Sequence, residues 1–190
     1  LAKKPNSANM SLADIWIQGK LHSVIKSVEK NITNYRIDLI ANSLYDFVWN
    51  DYCNWYLELS KSILKDDDQA NLEQKHATQL NLLYTLDATL KCLHPIIPFI
   101  TEELWQTINT DQKKSSIMVE NYPNSNDFIV DQPVLDQMDW LIAFVISVRQ
   151  IRSEMNISPK TKISVLLQDA SNEDLDLVKE SKIYITNLAG

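Results

Sequence analysis

Phe47-Val48-Trp49-Asn50-Asp51-Tyr52-Cys53-Asn54-Trp55-Tyr56-Leu57-Glu58-Leu59-Ser60-Lys61 is the centre of a stretch, Arg36 to Lys61, around which the rest of the chain is organised. Apolar residues at 37, 41, 44, 48, 52, 55 and 59 step by four and three, the spacing of a helix with one buried face. Tyr45, Trp49 and Tyr56 mark a second stripe beside the first. A helix apolar on two faces needs neighbours on both, so the sequence predicts a central helix inside a bundle. Outside this patch aromatic residues are sparse, 8% of the chain overall.

Composition narrows the classes. With 190 residues, 45% hydrophobic and 23% charged, the chain has the make-up of a folded domain, or of one domain with an appendage. The only glycines are Gly19 and Gly190, which argues against glycine-rich phosphate loops and against tight hairpins that need positive φ. The expectation is a mainly α protein. Charge interrupts every apolar run well short of the roughly 18 to 20 residues that span a bilayer, so no membrane is expected. Leu1-Ala2-Lys3-Lys4-Pro5 has neither an initiator Met nor an apolar signal core and reads as the cut edge of a longer chain. Residues 1–11 are then a linker.

Cys53 and Cys92 both fall inside helical patterns and read as reduced core thiols of a cytoplasmic protein. His22, His76 and His94 are scattered, and no His or Cys shows metal-ligand spacing, so no metal is expected. The net charge of −7 disfavours non-specific nucleic-acid binding, which relies on counterion release from a basic surface. Any RNA role needs a local patch and recognition of shape.

The other elements follow in order. Ser11-Leu12-Ala13-Asp14 fits a capping box with Asp in place of Glu, and apolar residues at 17, 21, 24, 25, 28 and 32 make one stripe behind it. Asp66, Asp67 and Asp68 close the central helix in a polar turn and lack the glycine and distal Glu of an EF-hand. A third helix covers about Asn71 to Leu93. Pro95 and Pro98 stop it and start a fourth, in whose first turn Glu102 and Glu103 favour the helix dipole. The sharper reading of those two, a carboxylate pair for catalysis, suffers because adjacent residues diverge around a helix and no partner base is evident.

Ser116 to Val119 is a short β-like run followed by polar loop as far as Pro133. A fifth helix, about Val134 to Met155, carries Met138, Leu141, Val145, Val148, Ile151 and Met155 on one side. Arg149 and Arg152 stand one turn apart on it and can act together, either in structural salt bridges or on RNA. Ile163, Val165 and Leu167 alternate within Lys162 to Gln168, the best strand pattern in the chain. Its partners would be strands beyond Gly190 or Ile117 to Val119, since one strand cannot form a sheet. Ser171-Asn172-Glu173-Asp174 caps a last helix with Leu175, Val178, Ile185 and Leu188 inward.

Taken in order, Tyr35-Arg36, the segment Trp49 to Glu58, the segment His94 to Trp105, and Ile151-Arg152-Ser153-Glu154-Met155-Asn156 resemble the valyl-tRNA synthetases, class I aminoacyl-tRNA synthetases. The proline-flanked segment ending in Glu-Glu-Leu-Trp is shared with the isoleucine and leucine enzymes, whereas the segments Trp49 to Glu58 and Ile151 to Asn156 are the valine-like ones. Asn54 departs from the pattern, which has Asp before the Trp. The resemblance implies an antiparallel helical bundle of the anticodon-binding type over residues 12–125, without the family's first helix, and over 126–190 a long helix running into a truncated α/β connector. It implies a monomeric parent, a valine–tRNA ligase using ATP and Mg²⁺ in a catalytic domain of the same chain. None of that chemistry is in these residues, because the His-Ile-Gly-His and Lys-Met-Ser-Lys-Ser motifs are absent. The partner it implies is tRNA(Val).

Anticodon loops present splayed bases that proteins read by stacking and edge hydrogen bonds, with cations on the phosphates. The candidates are Arg149 and Arg152 for phosphate or base, Lys20 and Lys61 for backbone charge, and Asn50 for a base edge. Trp49, Trp55 and Trp105 stand at packing positions and read as core. Absence of the family's first helix predicts an exposed hydrophobic groove. The rival readings are the same domain of an isoleucyl- or leucyl-tRNA synthetase, and a structural or partner-binding bundle that never touches RNA.

Overall fold

The computed structural model describes residues 4–65, 72–109, 116–158 and 161–189. The acidic turn expected at Asp66, Asp67 and Asp68 lies outside them. The described chain is helical and contains no strand. It divides into two compact units, Leu1–Asp131 and Gln132–Gly190.

The first unit begins with α1, Leu12–Thr33, and its start is set locally. Ser11 accepts from the Asp14 backbone N–H while the Asp14 carboxylate accepts from the Ser11 N–H, the reciprocal capping box the sequence predicts. Trp16, Ile17, Leu21 and Ile25 have no exposed surface at all, and each buried aliphatic side chain of this kind contributes roughly 1.5–3 kcal/mol. α1 ends in a Schellman motif, in which the Tyr35 N–H donates to Ile32 O and the Arg36 N–H to Asn31 O. Tyr35 takes the left-handed conformation there, with φ 54°, where glycine is the usual choice.

The chain then turns back along α1. Arg36 clamps Asp38 through two nitrogens and holds its carboxyl down to about 2. α2, Ile37–Asp46, runs without a break into a π-helical segment, Phe47–Tyr56, and then into α3, Leu57–Leu64. The predicted central helix is therefore continuous, but its middle is wound more widely, as in the i→i+5 bond from the Leu57 N–H to Tyr52 O. This winding changes which side chains face inward. Phe47, Tyr52 and Tyr56 are buried, whereas Tyr45, Trp49 and Cys53 face solvent. Trp49 is 57% exposed, which corrects its assignment to the core, and Cys53 is likewise no core thiol. Residues phased at 3.6 per turn fall out of register once the turn widens.

α4, Leu72–Leu93, packs on α1, α3 and α5, Pro98–Ile108. Thr101 ties the turn between α4 and α5, bonding to His94 Nδ1 at 2.8 Å and donating to Ile97 O. Trp105 is fully buried, as expected of it, against Leu90 and Ile117, and its indole N–H donates to Asp87 Oδ1 at 2.8 Å. Asp87 in turn pairs with Lys91. Ile117–Val119, expected to be β-like, is a turn of 3-10 helix capped by Ser116, and Glu102 of α5 holds its start. That contact is what Glu102 does in the structure, in place of a catalytic pairing with Glu103.

In the second unit α6, Gln132–Glu154, buries Met138, Leu141, Val145 and Val148. Its last turn departs from the predicted stripe, because Ile151 and Met155 are exposed and Arg152 is buried instead. Asn156, with φ 52°, ends the helix in a second Schellman motif. Residues 162–168 do not form the expected strand. Leu166 is 90% exposed, and the described residues offer no strand to receive its backbone bonds, so the anticipated α/β appendage is not found among them. The last helix begins at its predicted cap, Ser171 with Asp174, but is broken at Ser181 into α7, Asn172–Glu180, and α8, Lys182–Leu188. Leu175 is exposed, whereas Tyr184, absent from the predicted inward set, is buried.

Candidate nucleic-acid interface

The five sequence candidates fall on two units, Lys20, Asn50 and Lys61 on the first and Arg149 and Arg152 on the second. Lys20 leaves α1 with its ammonium 5.7 Å from the centre of the Trp16 ring. Its charge therefore sits over the aromatic face that seals the core, where a cation is electrostatically favoured. Lys61 is exposed on α3 and forms an ion pair with Glu58 one turn earlier, so part of its field is cancelled at source. Asn50 is exposed on the π-helical segment.

Beside Asn50 lies a feature the sequence pattern did not signal. The rings of Tyr45 and Trp49 stack in parallel, centroids 6.4 Å apart and 5° between planes, on the outer face of α2 and the π-helical segment. Their spacing of four was visible in the sequence, where it read as a second inward stripe. An open apolar cavity of about 380 Å³ adjoins them, lined by Ala41, Asn42, Tyr45, Val48, Leu93, Ile96 and Ile97. An exposed hydrophobic groove of the kind anticipated from the sequence thus lies on α2 and the end of α4.

On the second unit the structure brings Arg149 and Arg152 to one cavity, at the end of α6 beside the end of α8. Arg152 is 4% exposed and donates through Nη2 to Ser158 O and, at 2.8 Å, to Thr161 O. Arg149 is exposed and donates through Nε to Leu188 O at 2.9 Å. Both guanidinium groups thus donate to backbone carbonyl oxygens that line the cavity.

Among the described residues no three His, Cys, Asp or Glu side chains are grouped to hold a metal. No described helix is long and apolar enough to cross a membrane.

A helical first unit with a capped α1, a proline-initiated α5 and exposed polar and aromatic side chains along its central helix agrees with the comparison of sequences. The chain belongs to the family of the anticodon-binding domain of tRNA ligase, which matches residues 14–167. It is similar to the valine–tRNA ligase of Legionella pneumophila (strain Lens), 45% identical over 165 residues that make up 86% of this chain and 18% of that protein. The valine–tRNA ligases of Buchnera aphidicola subsp. Baizongia pistaciae and of Coxiella burnetii are each 38% identical, over 95% and 94% of this chain and 19% and 20% of their own length. The chain therefore spans about a fifth of the relatives it matches.

Proposed function

We propose that this chain is the anticodon-arm binding portion of a valine–tRNA ligase and positions tRNA(Val) for ATP-dependent aminoacylation by a catalytic domain of the same parent protein. The observation that carries the reading is the agreement between the family match over residues 14–167 and the relatives described above, each named valine–tRNA ligase. Those names favour valine over isoleucine or leucine, and the family favours RNA contact over a purely structural bundle. ATP and Mg²⁺ belong to the parent's catalytic domain in this reading. The parent is a cytoplasmic monomer in this reading.

Arg149, Arg152, Lys20, Lys61 and Asn50 remain the proposed RNA contacts. Their environments rank them. Lys20 and Lys61 lend charge that Trp16 and Glu58 already engage, Asn50 offers an exposed amide for a base edge, and the arginines converge on one cavity.

Filter binding of the chain to tRNA(Val) and to a tRNA of another identity tests the proposal. Tighter, salt-dependent retention of tRNA(Val) is expected. Equal retention of both removes the valine assignment, and retention of neither removes the RNA role.

A further inference from the structure

α5 carries two apolar stripes, and the bundle covers one of them. Thr101 and Trp105 are buried, whereas Ile97, Ile100 and Leu104, spaced three and four apart on a neighbouring stripe, are about half exposed. α2 repeats the arrangement. Its Ile40 and Leu44 are buried, while Ile37, Tyr45 and the following Trp49 form an outward stripe, each more than half exposed. The two outward stripes meet at the open apolar cavity of about 380 Å³, to which Tyr45 contributes from α2 and Ile97 from the start of α5. Phe99, in the first turn of α5, is 90% exposed. An apolar surface that runs across two helices and a cavity is the mark of a face that another surface covers.

Charge decides what kind of surface that is. From Ile37 to Ser60 and from Cys92 to Ile108 the chain has no Lys or Arg, and its charged residues are carboxylates: Asp38, Asp46, Asp51 and Glu58 on the first stretch, Glu102 and Glu103 on the second. Arg36, at the border, is clamped to Asp38, and His94 is bonded to Thr101. Aromatic platforms for unstacked bases are paired with cations that hold the phosphates, and these stretches supply none. They suit a protein surface that is apolar at its centre and basic at its rim, where buried aromatic side chains carry the affinity and edge charges set the register. The chain spans about a fifth of the relatives it matches, so such a surface is at hand in one polypeptide. From this geometry we infer that the face around Tyr45, Trp49 and Ile100 is the docking surface for the catalytic domain of the parent chain. The inference rests on the reading above of a longer valine–tRNA ligase and adds to it the face by which the two domains meet. Linkage within one chain makes the contact intramolecular, so a modest apolar area holds it.

Hydroxyl-radical labelling read by mass spectrometry tests this on the 190-residue chain and on the full-length parent enzyme, each with and without tRNA(Val). Tyr45, Trp49 and Phe99 should label readily in the chain and several-fold more slowly in the parent, whether or not RNA is present. Trp49→Asp and Ile100→Asp, both at exposed positions, should leave the urea midpoint of the 190-residue chain unchanged. In the parent the same substitutions should return Tyr45 and Phe99 to the labelling rate of the chain. Equal labelling of chain and parent overturns the docking surface. Protection that appears only with tRNA(Val) assigns the face to RNA and overturns it as well. Labelling of the chain alone that slows as its concentration rises makes a second copy the occupant and does the same. Aminoacylation of tRNA(Val) by the parent, measured in parallel, separates the two levels of the argument. Its absence removes the valine–tRNA ligase reading and the inference with it, whereas unprotected rings in an active parent remove the docking surface alone.

Discussion

The Tyr56 hydroxyl donates to Asp14 Oδ1 at 2.7 Å, with both side chains wholly shielded from solvent. This bond joins the π-helical segment to the first turn of α1 and is the centre of a polar knot. Asn81 of α4 donates to the same hydroxyl at 2.8 Å, Thr78 donates to Asp14 Oδ2 at 2.7 Å, and Gln18 donates to Asn81 Oδ1 at 2.7 Å. Gln18 Oε1 then accepts from the Ile129 backbone N–H, carrying the knot to the last loop of the first unit. Burial, reinforced by Asp14, pushes the Tyr56 phenol far above its ordinary pKa, so it remains a donor at every physiological pH. A buried polar network stabilises one arrangement of helices only if every member is satisfied.

Tyr56→Phe keeps the ring and deletes the hydroxyl. It deletes the 2.7 Å donor to Asp14 Oδ1, which keeps the longer 3.3 Å bond from Asn81 Nδ2, and the 2.8 Å acceptor of that same amide, in a buried site where bonds to a charged group are worth about 1.5–3 kcal/mol. A loss of roughly 2 kcal/mol is expected in urea unfolding of the chain, with the m value unchanged. A loss under about 0.5 kcal/mol would show that the knot fills space without ordering the bundle.

The two thiols should differ in reactivity. Cys53 is exposed on the π-helical segment, whereas Cys92 is buried and burial raises its thiol to about 12. The thiolate is the reactive form, so a maleimide at pH 7.5 should modify one cysteine in the native protein and both in denaturant. Mass mapping should place the first label on Cys53, and labelling of Cys92 in the native state would contradict its burial.

Glu102 predicts an acid response. The Gln106 amide lowers its pKa most, with the Ser116 hydroxyl and the Ile117 N–H adding to it and burial opposing. A carboxyl held below its unfolded value, about 4.3, stabilises the fold fully above that pH, and the stabilisation is lost as pH falls through the folded value. The stability gap between the native chain and Glu102→Gln should therefore be constant from pH 7 to 5 and shrink below about 4.3. Urea midpoints measured at intervals from pH 7 to 3 read this directly, and a gap that persists to pH 3 would remove Glu102 from the clasp on Ile117.

Much of the fold was legible because its signals are local. The Ser11–Asp14 and Ser171–Asp174 boxes each require only four consecutive residues, and Pro98 sets the start of α5 through its own ring. The inward face of α1 as far as Val28 and the burial of Trp105 follow from regular helical spacing, whereas Ile32, the last residue of the predicted stripe, is 53% exposed in the final turn. The same spacing failed where the winding changed: in Phe47–Tyr56 it turned Trp49, Asn50 and Cys53 outward and made a stacked aromatic face where core was expected.

Sequence alone determined the helical class, most element starts and the family, because caps, prolines and apolar periodicity act over a few residues. Tertiary structure decided the rest. Whether 162–168 pairs depends on a second strand, and none is among the described residues. Whether Arg152 is spent on carbonyls depends on a left-handed turn at Asn156 that brings Ser158 and Thr161 back to it. Asp14 reads in the sequence as a helix cap and nothing more. Only the packing of three helical elements makes it the acceptor for Tyr56 and Thr78, because donors 42 and 64 residues away meet it in space.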